Sequence, residues 1–272
     1  MNPRPRSAET SIETRDLTVT FGSRNVLDRV NLRIGKGEVF VVMGPSGCGK
    51  TTLLKCLVRL LAPTDGTVLV EGRDVAGLDE EASDDLRRAT GMVFQGGALL
   101  NSISLRENVA LPMRAHMSLS PGTVDEAVRM KLAQVGLLEA ADRMPSEMSG
   151  GMRKRAGIAR ALALDPRMIF FDEPTSGLDP VTSDGIDNLI LELRDALGAT
   201  MVVVTHDLPS ARKIADRLVV LSRGRALVEG TWDEAQASTN PEVRAFLDRQ
   251  APVVETSASA TLGVERAGEA AS

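Results

Sequence analysis

The sequence predicts an α/β protein: a strand-rich core, a helical insertion, and a return of the chain to the core. Three observations carry this. Runs at 39–43 (VFVVM), 168–171 (MIFF) and 201–204 (MVVV) are apolar on both faces, as central strands of a covered parallel sheet must be. Helical patterns fall between those runs. Residues 95–160 carry helices and loops but no strong strand.

Taken in order, residues 1–10 read as a disordered lead. From 12 to 34 the pattern is strand-like: Ile12, Leu17, Val19 and Phe21 sit among polar residues, and Val30, Leu32 and Ile34 alternate. The strand at 39–43 is followed by a glycine-rich loop and an apolar helical pattern through Leu53, Leu54, Leu57 and Leu61. Residues 67–71 (TVLVE) add a short strand. Within the helical insertion, Thr123 and Glu126 have the spacing of a capping box at the start of a helix over 123–135. Past the strand at 168–171, Ile186, Leu189, Ile190, Leu193 and Leu197 share one helical face, and Gly198 is placed to cap it. Residues 218–229 read as a hairpin through Arg223 and Gly224. In 240–250 (NPEVRAFLDRQ), Asn240 can cap, Pro241 suits a first helical position, and Val243, Phe246 and Leu247 can pack. Residues 251–272 read as a flexible tail rich in Ala, Ser and Glu.

Composition excludes several classes. The chain has 272 residues, 43% hydrophobic and 25% charged, which is ordinary for a soluble protein. A net charge of −5 gives no global attraction to nucleic acid. Two cysteines, Cys48 and Cys56, make neither a disulfide framework nor a four-ligand zinc site, and point to a reducing, cytoplasmic compartment. The basic start (MNPRPRSAETS) has no apolar segment behind it, and no apolar run approaches the roughly 18 residues that span a bilayer. Any role at a membrane therefore goes through partner chains.

The chemistry begins at Gly44–Thr51, GPSGCGKT, which fits the phosphate-loop pattern G-x-x-x-x-G-K-[ST] in the strand–loop–helix context that pattern requires. Gly44, Gly47 and Gly49 let the backbone curl, so that N–H groups around Pro45, Ser46 and Cys48 converge on phosphate oxygens. The helix N-terminus, with Thr52 in its first turn, adds positive potential. Lys50 supplies a point charge to the β and γ phosphates of ATP, and the Thr51 hydroxyl is a ligand for Mg²⁺. Lys50 and the helix terminus would also favour the Cys48 thiolate. At 168–173 (MIFFDE) an apolar strand delivers two carboxylates that point different ways. Asp172 suits Mg²⁺, and Glu173 suits polarising the attacking water. The basic run Arg153, Lys154, Arg155 reads first as a solvated helix face, with contact to a partner or membrane surface as the alternative.

Further motifs follow in order: Gln95 in GMVFQGG, MSGGM at 148–152, FFDEPTSGLDP at 170–180 and VVVTHD at 202–207. This order resembles the nucleotide-binding subunit of ATP-binding-cassette (ABC) transporters over residues 12–232. The resemblance implies a P-loop NTPase with a RecA-like core, an antiparallel β subdomain and a helical subdomain. The core would comprise 11–94 and 161–232, the helical signature subdomain 95–160, and C-terminal helices 233–250. It also implies a head-to-tail homodimer in which Ser149, Gly150 and Gly151 of one copy face the ATP held by the other. By the same resemblance, Phe21 stacks on adenine (the alternative being a core phenylalanine), and Gln95 senses Mg²⁺ and the attacking water. Asp179 reaches across the dimer, and His206 contacts the γ-phosphate and holds Glu173. Met148 and Met152 depart from the commoner Leu and Gln of the signature, and Met152 cannot make an amide hydrogen bond.

The strings QGGALLNSISLRENVALP and SGGMRKRAGIARALALDPRM resemble the ATPase of MCE-type phospholipid transporters. That implies a multispanning permease, an MCE substrate-binding protein and a small STAS-domain protein as partners, and a peripheral place on the cytoplasmic face of the inner membrane. The permease would lay a coupling helix near Gln95. The ATPase of another ABC importer, or a cytosolic ABC ATPase of the iron–sulfur assembly type, is the competing expectation.

Overall fold

The computed structural model describes residues 9–248. Residues 1–8 of the expected lead and the residues from 249 on, the expected tail among them, lie outside the described residues; Thr10, placed in the lead by the sequence, already stands in β1. The chain runs β1 (Thr10–Phe21), β2 (Arg24–Gly35), β3 (Val39–Met43), α1 (Lys50–Leu57), β4 (Asp65–Val70), β5 (Arg73–Asp74), α2 (Glu80–Arg88) and β6 (Thr90–Val93). The helical stretch follows with α3 (Leu105–His116), α4 (Pro121–Gln134) and α5 (Gly150–Ala161). The chain then returns through β7 (Met168–Asp172), α6 (Pro180–Leu197), β8 (Thr200–Val204), α7 (Leu208–Ile214), β9 (Arg217–Ser222), β10 (Arg225–Gly230), α8 (Trp232–Gln236) and α9 (Pro241–Leu247).

Two sheets result. Strands β2-β1-β4-β5 form an antiparallel sheet, and β10-β9-β3-β8-β7-β6 form a second that is parallel except for β10. Side chains alternate across a strand, and the second sheet uses that alternation to build two cores. Val39, Val41, Ile169, Phe171, Met201 and Val203 face one cluster, which continues into α3, α4, α5 and α6. Their neighbours Phe40, Val42, Phe170, Val202 and Val204 face the other, with Leu53, Leu54 and Leu57 of α1 and the apolar face of the antiparallel sheet. Burial on both faces is why these three strands carry no polar alternation.

Helix ends follow local chemistry. Gly198 takes φ 62° and closes α6, as its sequence position indicated. Asn240 caps α9 with Pro241 first in the helix, Val243 is buried, and Phe246 and Leu247 pack on the first cluster. The expected capping box at Thr123 and Glu126 is not formed. The cap stands three residues earlier, where Ser120 Oγ accepts from the Thr123 N–H at 3.2 Å and Pro121 opens the first turn. Pro121 is the reason: its fixed φ suits a first helical position, so the residue before it becomes the cap. Trp232 opens α8, packs on the first cluster, and keeps its indole Nε1 buried without a hydrogen-bond partner.

Candidate nucleotide site

The phosphate loop joins β3 to α1 at the carboxyl end of the parallel sheet. Gly44 (φ 147°) and Gly49 (φ 110°) are not interchangeable with other residues: a Cβ at Gly44 would lie 2.1 Å from the Leu221 carbonyl, and one at Gly49 2.8 Å from the Val26 carbonyl. The loop is thus seated against β9 and β2. Lys50 is buried, and its Nζ donates to the carbonyls of Gly44 (2.8 Å) and Pro45 (3.1 Å), across the mouth of the loop. The Leu53 N–H closes the first turn of α1 on Gly49; the N–H groups that open a helix have no partner within it and can meet an anion.

β7 ends beside this loop and brings in the carboxylates. Burial and the neighbouring Glu173 push the Asp172 carboxyl up, against the pull of Lys55, the Thr51 hydroxyl and Lys50. Its Oδ1 is buried with no hydrogen-bond partner. An orphaned buried carboxylate oxygen next to a threonine hydroxyl is a hard-oxygen donor set, and it fits Mg²⁺. Glu173 stands at φ 50°, a left-handed conformation that a non-glycine residue adopts only when its surroundings impose it. Its N–H donates to the Val204 carbonyl at 2.9 Å, and its Oε1 lies 2.8 Å from His206 Nδ1. Thr205 lies beyond its other oxygen at 3.5 Å.

Pro45, Ser46, Gly47, Cys48, Glu173 and His206 line one cleft of about 1070 Å³. Thr175–Leu178 and Asp207, inside the quoted motifs, line it too, and the sequence reading missed other parts of the wall: Arg24–Val26 at the start of β2, Ser222–Gly224 at the β9–β10 turn, and Pro241, Glu242, Ala245 and Phe246 of α9. No motif marks these, but each follows a recognisable turn or cap. Gln95 is exposed, and its Nε2 donates to Ser176 Oγ at 3.3 Å, so it meets the cleft through a lining residue. Phe21 is 55% exposed at the end of β1, so the core reading of it is wrong, yet it is not among the residues lining the cleft.

The signature residues do not reach the cleft of their own chain. Ser149 caps α5 by accepting from the Met152 N–H at 3.2 Å. Gly151 also has a local reason to lack a side chain, since a Cβ there would come within 2.6 Å of Thr182. Met148 is buried and Met152 packs on the core, so both act as apolar filling. Asp179 caps α6, its Oδ1 accepting from the N–H groups of Val181 and Thr182 at 3.0 Å each.

Two expectations are corrected. Burial pushes the Cys48 thiol up and outweighs the opposing pull of Lys50, so the loop does not favour a thiolate. Of the run 153–155 only Arg153 is exposed, so the run is not a solvated face throughout. Lys154 is buried and donates to the main-chain carbonyls of Gln95 and Glu173, while Arg155 donates to those of Val135 (3.2 Å) and Gly185 (3.3 Å). Lys154 stands four residues before the buried Ile158, on the buried face of α5.

A loop seated to receive phosphates, with carboxylates and a histidine at the adjoining strand ends, defines a P-loop ATPase. Residues 27–176 match the family model described as ABC transporter, and the chain belongs to that family. It is 41% identical to an intermembrane phospholipid transport system ATP-binding protein, MlaF, of Escherichia coli strain K12, over 89% of this chain and 90% of the relative. MlaF of Haemophilus influenzae is 43% identical over 87% and 89%. A Mycobacterium tuberculosis protein described as a probable ribonucleotide transport ATP-binding protein is 41% identical over 88% of this chain and 66% of its own length. Among solved structures, a dimeric ATP-binding cassette in a post-hydrolysis state with ADP and phosphate aligns with TM-score 0.74 at 34% identity, over 81% of this chain and 98% of that one. A cassette from Clostridium perfringens, part of an ABC transporter complex, aligns with TM-score 0.78 at 27% identity, over 89% and 97%.

Proposed function

We propose that this ATPase powers phospholipid transport, as a head-to-tail homodimer held peripherally on the cytoplasmic face of the inner membrane by a multispanning permease. An MCE substrate-binding protein and a small STAS-domain protein complete the assembly. The observation that carries the choice of cargo is coverage: the chain spans 90% of the length of the E. coli phospholipid-system relative, but 66% of the ribonucleotide-system one, at equal identity.

In this reading the loop Gly44–Thr52 grips the phosphates of ATP, Lys50 turning its ammonium from loop carbonyls to phosphate oxygens. Thr51, Asp172 and Gln95 would hold Mg²⁺, which would neutralise charge on the phosphates. Glu173 accepts a hydrogen bond from the attacking water, and His206, already 2.8 Å away, fixes the carboxylate and reaches toward the γ-phosphate. Phe21, exposed at the end of β1, covers adenine. Ser149, Gly150, Gly151 and Asp179 of the second copy close the site; their standing outside their own chain's cleft supports that arrangement.

Two experiments test it. Glu173→Gln is expected to retain ATP, lower turnover by about 100-fold or more and accumulate a dimer on size exclusion; unchanged turnover refutes the role of Glu173. Affinity purification of the tagged chain from detergent-solubilised membranes is expected to recover a multispanning protein and bound phospholipid. Recovery of soluble partners alone overturns the transport reading.

A further inference from the structure

The loop that follows Gln95 stands on α5. Gly97 and Gly157 meet so closely that a Cβ on Gly157 would lie 3.1 Å from the Gly97 Cα. Arg160 donates to the carbonyls of Ala98 (2.6 Å) and Gly97 (3.1 Å). Six residues earlier on the same helix, Lys154 donates to the carbonyls of Gln95 and, at 2.9 Å, Glu173. Both Ala98 (φ 48°) and Glu173 (φ 50°) are non-glycine residues in the left-handed region. Such a conformation costs of order 1–3 kcal/mol and persists only where neighbours over-determine it. The α5 cations bond the carbonyls of those same two residues.

From this geometry we infer that Lys154 is a positioning residue for hydrolysis, a buried clasp by which α5 fixes the main chain of Gln95 and Glu173 together. The clasp rests on the reading of Glu173 as the residue that orients water, and it gives α5 a second task. The N-terminus of α5 carries Ser149–Gly151, so the element assigned to the partner's nucleotide also sets the catalytic carboxylate of its own chain. Displacing that helix therefore shifts Glu173 directly. Lys154 does not line the cleft or the phosphate loop, so its loss acts on the chemical step and leaves nucleotide affinity alone.

The test compares the full-length chain with Lys154→Met, Lys154→Arg and Glu173→Gln, reading kcat and KM for ATP, Kd for a fluorescent ATP analogue, and Tm. Lys154→Met keeps the aliphatic stem and removes both donors. It is expected to lower kcat about tenfold to a hundredfold, as a small misplacement of a catalytic group does, with Kd within about twofold of wild type. Lys154→Arg, which can still donate to two carbonyls, recovers part of the loss. Wild-type kcat in Lys154→Met, a parallel loss of Kd and kcat, or equal damage in both variants overturns the clasp. Should Lys154→Met not fold, Lys154→Gln replaces it under the same criteria. Glu173→Gln separates the two claims: wild-type turnover there sinks the reading of Glu173, whereas a dead Glu173→Gln beside an active Lys154→Met sinks the clasp alone.

Discussion

Gly44 and Gly47 show how differently two glycines of one loop are constrained. A Cβ on Gly44 would sit 2.1 Å from the Leu221 carbonyl, backbone that cannot give way, whereas one on Gly47 meets nothing within 4 Å and only φ 75° opposes it. Gly44→Ala is therefore expected to cost more than about 4 kcal/mol, the range reserved for severe clashes. Gly47→Ala should cost about 1–2 kcal/mol of left-handed strain. Urea unfolding of the two variants checks the contrast, and equal losses would refute it. The pattern G-x-x-x-x-G-K-[ST] makes the loop legible in the sequence, but not which glycine is sterically required, because that depends on β9, more than 170 residues further along. Lys154 was illegible for a related reason. Charge argues for solvent, and only the assembled core reveals two carbonyls waiting beneath the helix.

Among the elements, α4 and α6 carry the clearest consequences. The cap of α4 lies at Ser120, so Ser120→Ala is expected to cost about 1 kcal/mol. Glu126→Ala, the other half of the box that does not form, should be near neutral; a larger loss there would restore the sequence reading. Between α6 and α7, Asp187 is 3% exposed, and burial pushes its carboxyl up to about 6 although the Ser210 hydroxyl donates to it at 2.7 Å. The unfolded chain releases this proton near 3.8 and the native chain near 6. Native stability therefore falls as pH rises through that window, and the penalty is complete above it. Asp187→Asn removes the titration and should gain about 1–3 kcal/mol at pH 8, with the gain vanishing near pH 3, below the unfolded value; an equal gain at both pH values counts against it. Strands 39–43, 168–171 and 201–204 were legible because a sheet covered on both faces needs unbroken apolar runs. The wall supplied by α9 was not: Phe246 shows itself in the sequence only as a packing residue, and its place by the cleft follows from tertiary return.

For the whole molecule, the decisive property is that each chain holds its signature residues away from its own cleft. ATPase activity per chain is accordingly expected to rise steeply with protein concentration at low concentration and then level off, as a dimer assembles. A rate strictly proportional to concentration down to dilution would contradict the shared site. Trp232 bears on how such experiments can be read out. The chain has one tryptophan and no tyrosine, so ultraviolet emission comes almost wholly from a single indole wedged where α8 meets the first core. Its light reports loosening of that corner during denaturation, and the indole is not among the residues that line the nucleotide cleft. Nucleotide occupancy has to be followed by a labelled ligand or by heat, because the protein carries no lamp of its own at the place where ATP binds.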